Sequence, residues 1–220
     1  PGIDSPADLA GTTLATPQLG NTQDVALRAW LIAQNLTADT AGGGDVSIRP
    51  QSNADTLNAF RSGDIDGAWV PEPWATRLIL EGGGHVLVDE RDLWPGGLYV
   101  TTHLIVRTEF LEENPEIVEN LLRGYLQALE FVQENPDEAE AMTNDGIEAI
   151  TGARLADETI AGAWGNLTFT WDPIAASLRK SADDAVAVGL LDPVDLSGIY
   201  DLAILNALLA EAGEDPVAGL

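Results

Sequence analysis

The chain has 220 residues, 45% of them hydrophobic, and its 36 acidic and 10 basic residues give a formal net charge of -26. A surface this negative repels nucleic-acid phosphates and anionic lipid headgroups, which argues against both as partners. The chain has no cysteine and only two histidines, which excludes thiol catalysis, disulfide bonds and metal sites built on thiolates or on several histidines.

The first part of the chain alternates β-prone runs with helical patterns. Strands are predicted over residues 12–16, 45–49, 66–70 and 85–89, and helices over residues 22–35, 53–60 and 74–81. This alternation, with short connections, is typical of a parallel sheet covered by helices. We therefore expect an α/β lobe over residues 4–92. The predicted apolar face of its first helix consists of Val25, Ala26, Ala29, Trp30 and Ala33.

The rest of the chain is predicted to be mostly helical. Helices are predicted over residues 115–134, 136–143, 157–165, 173–189 and 200–211, with a strand over 98–107 and a weaker one over 167–170. Strands between helices belong to sheets of several members, so we expect sheet partners upstream of residue 1 in a longer protein. The strand would then expose an uncovered edge or pair with a second copy of the chain. An all-helical second domain is the simpler alternative, and the apolar run over 99–106 argues against it.

The segment Pro17–Asp24 is the first candidate binding site. It follows the first strand and opens the first helix, at the sheet edge where open α/β folds bind ligands. Unpaired N–H groups and the helix dipole can hold an anion there without a basic residue. Gly20 lets a ligand approach the backbone, and Asn21, Thr22 and Gln23 add side-chain donors.

The alternative for this segment is an ordinary capped helix. Asn21 would then be the N-cap, and Asp24 would reach back toward the turn. The orientation of Asp24 also decides whether a negative charge lies where an anion would bind.

The segment Trp69–Trp74 is the second candidate, because it too lies where a parallel strand ends and a helix begins. The indoles of Trp69 and Trp74 can wall a pocket and donate hydrogen bonds. Glu72, between two prolines, could accept a hydrogen bond from a ligand or pair with a ligand amine. The alternative is a helix-start carboxylate beside core tryptophans.

No sequence pattern for catalysis or for a cofactor is present. The chain has no P-loop, no nucleophile elbow and no G-x-G-x-x-G motif, and nothing in it assembles an acid, a base and a nucleophile. We therefore expect a protein that is not an enzyme, with no cofactor and no metal site.

Several segments resemble the nitrate/sulfonate/taurine-type solute-binding proteins of ABC importers, with the greatest likeness to the aliphatic sulfonate branch. The resemblance covers essentially the whole chain and is most specific around Glu72–Ala75. Its motifs are Asp8–Thr12, Leu14–Pro17, Gly20–Asp24, Leu27–Leu31, Phe60–Trp69, Glu72–Ala75 and Phe110–Pro115.

The resemblance implies a type II periplasmic-binding-protein-like fold, in which two α/β lobes hold a ligand in the cleft between them. Residues 4–92 would form the second lobe, 93–98 the hinge or connector, and 99–220 the helix-rich C-terminal part of a first lobe that is incomplete at its N-terminal side. The ligand-binding residues that motif and placement indicate are Gln18, Gly20, Asn21, Thr22, Gln23, Trp69, Glu72 and Trp74. Many relatives place a small hydroxyl residue and a histidine at this helix start, whereas this chain has Asn-Thr-Gln.

The function implied by the resemblance is the capture of a small anion, such as an aliphatic sulfonate, taurine or nitrate, for delivery to ABC permease subunits in the membrane. The expected location is extracytoplasmic, either periplasmic or lipid-anchored to the cell surface. The start at Pro1, without a signal segment, is expected of a processed or shortened chain. Two alternatives remain open on the same fold: the ligand-sensing domain of a transcription regulator, and an enzyme that makes a thiamine pyrimidine precursor.

Overall fold

The structure is a computed structural model that describes residues 2–220. The chain divides into two compact units. Unit 1 comprises the chain up to Gly97 together with Ala156–Leu167 and Lys180–Val194, and unit 2 comprises Leu98–Leu155, Thr168–Arg179 and Asp195–Leu220. The sequence predicts one lobe for all of residues 99–220, whereas two short segments of that range pack with unit 1.

Unit 1 contains a parallel sheet. Within the described residues it has three strands, β1 (Thr13–Thr16), β2 (Ser47–Pro50) and β3 (Gly67–Ala68), in the order β2-β1-β3. The central strand β1 is buried from Leu14 to Thr16. Three predicted strands are thus confirmed, with ends shifted by at most two residues.

The predicted fourth strand over residues 85–89 is wrong. This segment has irregular backbone, and Val86 is 60% exposed. Its apolar residues Leu87 and Val88 pack against the core of unit 1 instead. The alternating pattern therefore reflects side-chain packing and not pairing of the backbone with a neighbouring strand.

The predicted helices are confirmed, with differences at their ends. The described residues form nine α-helices: α1 (Thr22–Ala33), α2 (Asn53–Ser62), α3 (Trp74–Leu80), α4 (Thr108–Glu113), α5 (Pro115–Glu134), α6 (Pro136–Thr151), α7 (Asp157–Trp164), α8 (Ala175–Ala187) and α9 (Ala203–Ala212). Pro115 and Pro136 each occupy a first helical position, where a missing N–H costs no intrahelical bond. In the part of the chain that is described, no helix is both long enough and apolar enough to cross a membrane.

The core of unit 1 lies between the sheet and α1. Its fully or nearly buried members are Leu9, Leu14, Leu27, Trp30, Leu31, Val46 and Ile48. The predicted apolar face of α1 is only partly right, because Ala33 is exposed while Leu27 and Leu31 are buried. Asp24 and Arg28 share that buried face.

The two strands predicted for the second half of the chain are absent from the structure. Residues 98–107 and 167–170 have irregular backbone, so both predicted strands are wrong. Leu104, Ile105 and Val106 are 57%, 88% and 45% exposed. An apolar run forms a strand only when a second strand satisfies its backbone groups, and the described part of unit 2 offers none. Pairing with upstream strands or with a second copy therefore stays a prediction.

A buried ion pair fixes the start of α1. The Asp24 carboxylate is fully buried and accepts hydrogen bonds from Nε and Nη2 of Arg28, at 3.0 and 3.2 Å. Thr16 Oγ1 and the Gly20 N–H donate to the same carboxylate, each at 2.9 Å. Arg28 Nη1 donates to the backbone carbonyls of residues 38–39, at 3.2 and 2.9 Å. The pair thus connects β1, the turn before α1 and the loop after it.

A close approach joins α3 to α7. A Cβ atom placed on Gly162 would lie 2.9 Å from Cγ2 of Thr76, which is buried on α3. The contact between the two helices therefore leaves no room for a larger side chain at residue 162, although glycine lowers the intrinsic stability of α7. Gly124 also lies inside a helix, but open space surrounds the position of its Cβ.

We expect Arg28→Leu to lower the free energy of unfolding by about 3–5 kcal/mol, because it leaves the Asp24 carboxylate buried without its cation. The double variant Asp24→Asn/Arg28→Leu should be more stable than the single one, since no charge then remains buried. Denaturant unfolding monitored by tryptophan fluorescence measures both. Arg107→Leu is the control, because it removes an exposed ion pair with Glu109 and should change stability by less than about 1 kcal/mol. Equal losses for Arg28→Leu and Arg107→Leu would contradict the role of the buried pair.

We expect Gly162→Ala to destabilise the protein by about 1–3 kcal/mol, because the new methyl group displaces Thr76. The matched variant Gly124→Ala should instead stabilise it by about 0.5–1 kcal/mol, since the same change there only improves helix propensity. Thermal unfolding of the two variants gives the comparison. A stabilising Gly162→Ala would show that α3 and α7 do not pack as described.

Candidate functional site

Three loops begin side by side at one edge of the sheet in unit 1. Parallel strands end at the same edge, which is the ligand-binding edge of open α/β sheets. The N–H of Gln51, just after β2, donates to the carbonyl of Thr16 at 2.9 Å. The N–H of Trp69, just after β3, donates to the carbonyl of Ala15 at 2.9 Å. The loop after β1 thus lies between the loops after β2 and β3, and this edge is the candidate site.

The turn before α1 forms a capped helix start. Asn21 is the N-cap, and its Oδ1 accepts the N–H of Asp24 at 2.9 Å. Gly20 has a φ of 76°, a left-handed conformation that suits glycine, and its N–H donates to Asp24 Oδ2. The carbonyl of Gln18 accepts the N–H of Asn21 at 3.2 Å. The predicted capped helix is confirmed, although Asp24 reaches back to Gly20 and not to the cap residue.

Two backbone donors of this turn have no partner in the described residues. The backbone N–H groups of Thr22 and Gln23 have no acceptor among residues 2–220. Thr22 is exposed and Gln23 is half-buried. The negative charge of Asp24 does not oppose an anion here, because this carboxylate is buried against Arg28. The helix start is therefore capped, and it still carries two N–H groups without an acceptor in the described chain.

The side chain of Gln23 is held over the turn. Its Oε1 accepts hydrogen bonds from Asn21 Nδ2 at 3.1 Å and from Thr22 Oγ1 at 3.0 Å. The side chains of Asn21 and Thr22 therefore both donate to Gln23. The Gln23 Nε2 group has no acceptor in the part of the chain that is described, and it adds a third donor beside the two N–H groups.

Glu72 is fully engaged within unit 1. Its carboxylate accepts hydrogen bonds from the N–H and Oγ1 of Thr76, at 3.1 and 3.0 Å, and from Asn166 Nδ2 at 2.7 Å. Trp74 is half-buried, with the Arg77 guanidinium 4.6 Å from the centre of its ring. These contacts agree with the interpretation of Glu72 as a helix-start carboxylate. A role of Glu72 in ligand binding stays a prediction.

Sequence reasoning missed Glu90, which organises a cluster of four residues: Trp69, Glu90, Trp94 and Lys180, here called the Glu90 cluster. The indole N–H groups of Trp69 and Trp94 donate to the two oxygens of Glu90, at 2.6 and 3.2 Å. The ammonium of Lys180 lies 4.8 Å from the centre of the Trp94 ring. The donor of Trp69 is therefore used inside the protein. No pattern could reveal this, because Glu90 lies 21 residues from Trp69 and 90 from Lys180.

Burial raises the pKa of the Glu90 carboxyl above its ordinary value. The two indole N–H groups and Lys180 favour the charged carboxylate, but they do not offset the loss of hydration, and Asp89 adds repulsion. A neighbouring cation and two donors are thus outweighed by desolvation.

His103 is one of the two histidines of the chain. It belongs to unit 2, where its Nε2 lies 3.0 Å from the hydroxyl oxygen of Tyr200. Across residues 2–220, no three histidine, aspartate or glutamate side chains are arranged to hold a metal ion.

We expect ionisation of Glu90 to destabilise the protein. A carboxyl whose pKa is raised on folding binds its proton more tightly in the folded state, so stability falls as pH rises from about 4 toward neutral. Glu90→Gln cannot ionise, so the stability of the wild type relative to this variant should decrease over that range. Urea unfolding at about six pH values measures the difference. Gln127→Met, exposed on α5, changes no ionisable group and is the control, so its difference from the wild type should be nearly constant; the same result for Glu90→Gln would contradict the assignment.

Comparison with known proteins connects this fold to binding proteins. The taurine-binding periplasmic protein of Escherichia coli (strain K12) is 31% identical over 130 residues, which are 57% of this chain and 37% of that protein. The bicarbonate-binding protein CmpA of Synechococcus elongatus is 25% identical over 118 residues, which are 54% of this chain and 25% of that protein. The chain thus spans about a quarter to a third of the length of these relatives.

Solved structures with a similar fold bind sulfonates. The alkanesulfonate-binding protein SsuA from Xanthomonas axonopodis pv. citri, bound to MOPS, superposes with a TM-score of 0.66 and 18% identity, over 88% of this chain and 63% of that one. The aliphatic sulphonate-binding protein SsuA from Escherichia coli gives a TM-score of 0.63 and 20% identity, over 88% and 62%. The predicted periplasmic-binding-protein-like α/β class is thereby confirmed.

The sequence pattern of the NMT1-like family matches residues 4–144, which is more than half of the chain. The match includes β1, β2, β3 and the start of α1. The resemblance stated from the motifs is confirmed by these relatives. This chain belongs to the NMT1-like family.

Proposed function

We propose that this protein is the solute-binding component of an ABC importer and that the start of α1 binds the anionic group of its ligand. The observation that carries the proposal is the pair of unpartnered N–H groups of Thr22 and Gln23, at the ligand-binding edge of the sheet. Relatives named for taurine and bicarbonate, and structural neighbours named for sulfonates, support a small oxyanion as the ligand.

The binding chemistry relies on neutral donors. Helix N–H groups carry partial positive charge and are fixed before the ligand arrives, so they bind an anion without rearrangement. Gln23 Nε2 adds a side-chain donor next to them. An oxyanion with several acceptor oxygens, such as an aliphatic sulfonate, taurine or nitrate, matches this set of donors.

The proposed location and partner follow from the relatives. The taurine-binding relative is periplasmic, and so is one of the sulfonate-binding neighbours. We place this protein outside the cytoplasmic membrane, where it would deliver its ligand to permease subunits. Neither the regulator nor the enzyme alternative is favoured by a contact in residues 2–220.

Isothermal titration of the purified protein with methanesulfonate, taurine, nitrate and bicarbonate tests the function. We expect saturable binding of at least one sulfonate, with micromolar or tighter affinity. No binding of any of the four anions would contradict the proposal.

The variant Gln23→Glu tests the location of the site. It keeps both acceptor contacts of the side chain but adds a negative charge beside the two free N–H groups. We expect at least about tenfold weaker binding of the anion, with stability unchanged or raised by up to about 1 kcal/mol because an acidic residue suits the first turn of a helix. Gln127→Glu, exposed on α5, makes the same change of charge and should leave the affinity unaltered. Equal affinities for the two variants would place the anion elsewhere.

A further inference from the structure

Three buried polar atoms near the end of β2 have no hydrogen-bond partner. They are Gln51 Nε2, Asn53 Oδ1 and Thr56 Oγ1, and they are the whole set of such side-chain atoms in the described chain. Buried polar groups without partners are rare, because each loses its hydration without gaining a bond. Their grouping within six residues indicates that something outside the chain pairs with at least one of them.

The start of α2 does not need these atoms for its own capping. Ser52 is the N-cap of α2, and its Oγ accepts the N–H of Asp55 and contacts Asp55 Oδ2. The cap is therefore complete without Gln51. Thr56 is only 1% exposed, so its unpaired hydroxyl lies well inside unit 1.

Gln51 lies at the same sheet edge as the proposed anion site. Its backbone N–H donates to the carbonyl of Thr16 at 2.9 Å, and Pro50 pairs with Thr16 across the sheet. The loop that leads to Thr22 and Gln23 begins directly after Thr16. Gln51 is thus the first residue after β2, at the same sheet edge as the two free N–H groups.

The chemistry of Gln51 Nε2 suits an oxyanion. An amide nitrogen is a donor only, with two N–H groups, and a deprotonated oxyanion offers acceptors only. A buried donor without a partner can pair with an acceptor that a ligand brings. A site built from such donors discriminates strongly against ligands that cannot accept hydrogen bonds.

We infer that Gln51 is a ligand-binding residue of this protein, whose Nε2 group donates to an oxygen of the bound anion and sets the specificity of the site. The inference rests on the proposed function and adds a fourth donor, from the loop after β2, to the three donors at the start of α1. A site made only of donors favours oxyanions whose oxygens all accept hydrogen bonds. Bicarbonate, which carries one O–H, fits this set less well than a sulfonate or nitrate.

The variant Gln51→Met tests the inference, because methionine has a similar length and no donor. We expect its affinity for methanesulfonate, taurine or nitrate, whichever the wild type binds, to be about 10- to 100-fold weaker by isothermal titration. The melting temperature of the ligand-free variant should be unchanged or higher, since an unpaired buried donor has been removed. A purely structural glutamine would give the opposite change in melting temperature. Gln127→Met, exposed on α5, should leave the affinity unchanged.

The variant Gln51→Glu provides a second test, because it keeps the shape of the side chain, replaces the donor by acceptors and adds a negative charge. Wild-type binding together with weaker binding by both Gln51 variants supports the inference. If either variant keeps an affinity within twofold of the wild type, the inference is overturned and the proposed function stands. The unpaired atoms then bind water. A Gln51→Met protein that fails to fold assigns Gln51 to the core and also overturns it. A wild type that binds none of the anions removes both the inference and the proposed function.

Discussion

The buried pair of Asp24 and Arg28 is the interaction on which the rest of the site depends. It takes the only carboxylate of the turn before α1 out of reach of a ligand and uses both of its oxygens. Isolated buried charges are costly, so such a pair survives only when hydrogen bonds satisfy it well. Here a strand, a turn and a loop all contribute partners, and the same bonds therefore hold the turn in a shape that leaves two N–H groups free.

The large negative charge of the protein is compatible with an anion site whose donors carry no formal charge. The formal charge of -26 opposes the approach of any anion at long range. At physiological salt, however, that field is screened within about 8 Å, whereas N–H donors act at hydrogen-bonding distance. Donors without formal charge also form no ion pairs with the carboxylates on the surface of this protein. The proposed site of neutral donors is thus compatible with a strongly acidic surface.

Much of unit 1 could be predicted from the sequence, because its signals are local. Capping residues such as Asn21 and the alternation of strands with helices depend on neighbours along the chain. The buried face of α1 could not be predicted in full, since Asp24 and Arg28 look like surface residues until their pairing is known. The same holds for Glu90, whose partners come from distant segments. The predicted strand over 98–107 failed for a related reason: its apolar residues suit a strand, but pairing depends on a second strand that the described chain does not provide.

Lys180 is the only lysine in the chain, and its side chain is 48% exposed. It therefore carries the only side-chain amine, and an amine-reactive dye has a single side-chain target in a protein without cysteine. The dye would be attached next to Trp94, whose ring the ammonium group now covers, and tryptophan quenches many fluorophores on contact. The unmodified wild-type sequence thus already provides a specific attachment point for an optical reporter, placed within the Glu90 cluster.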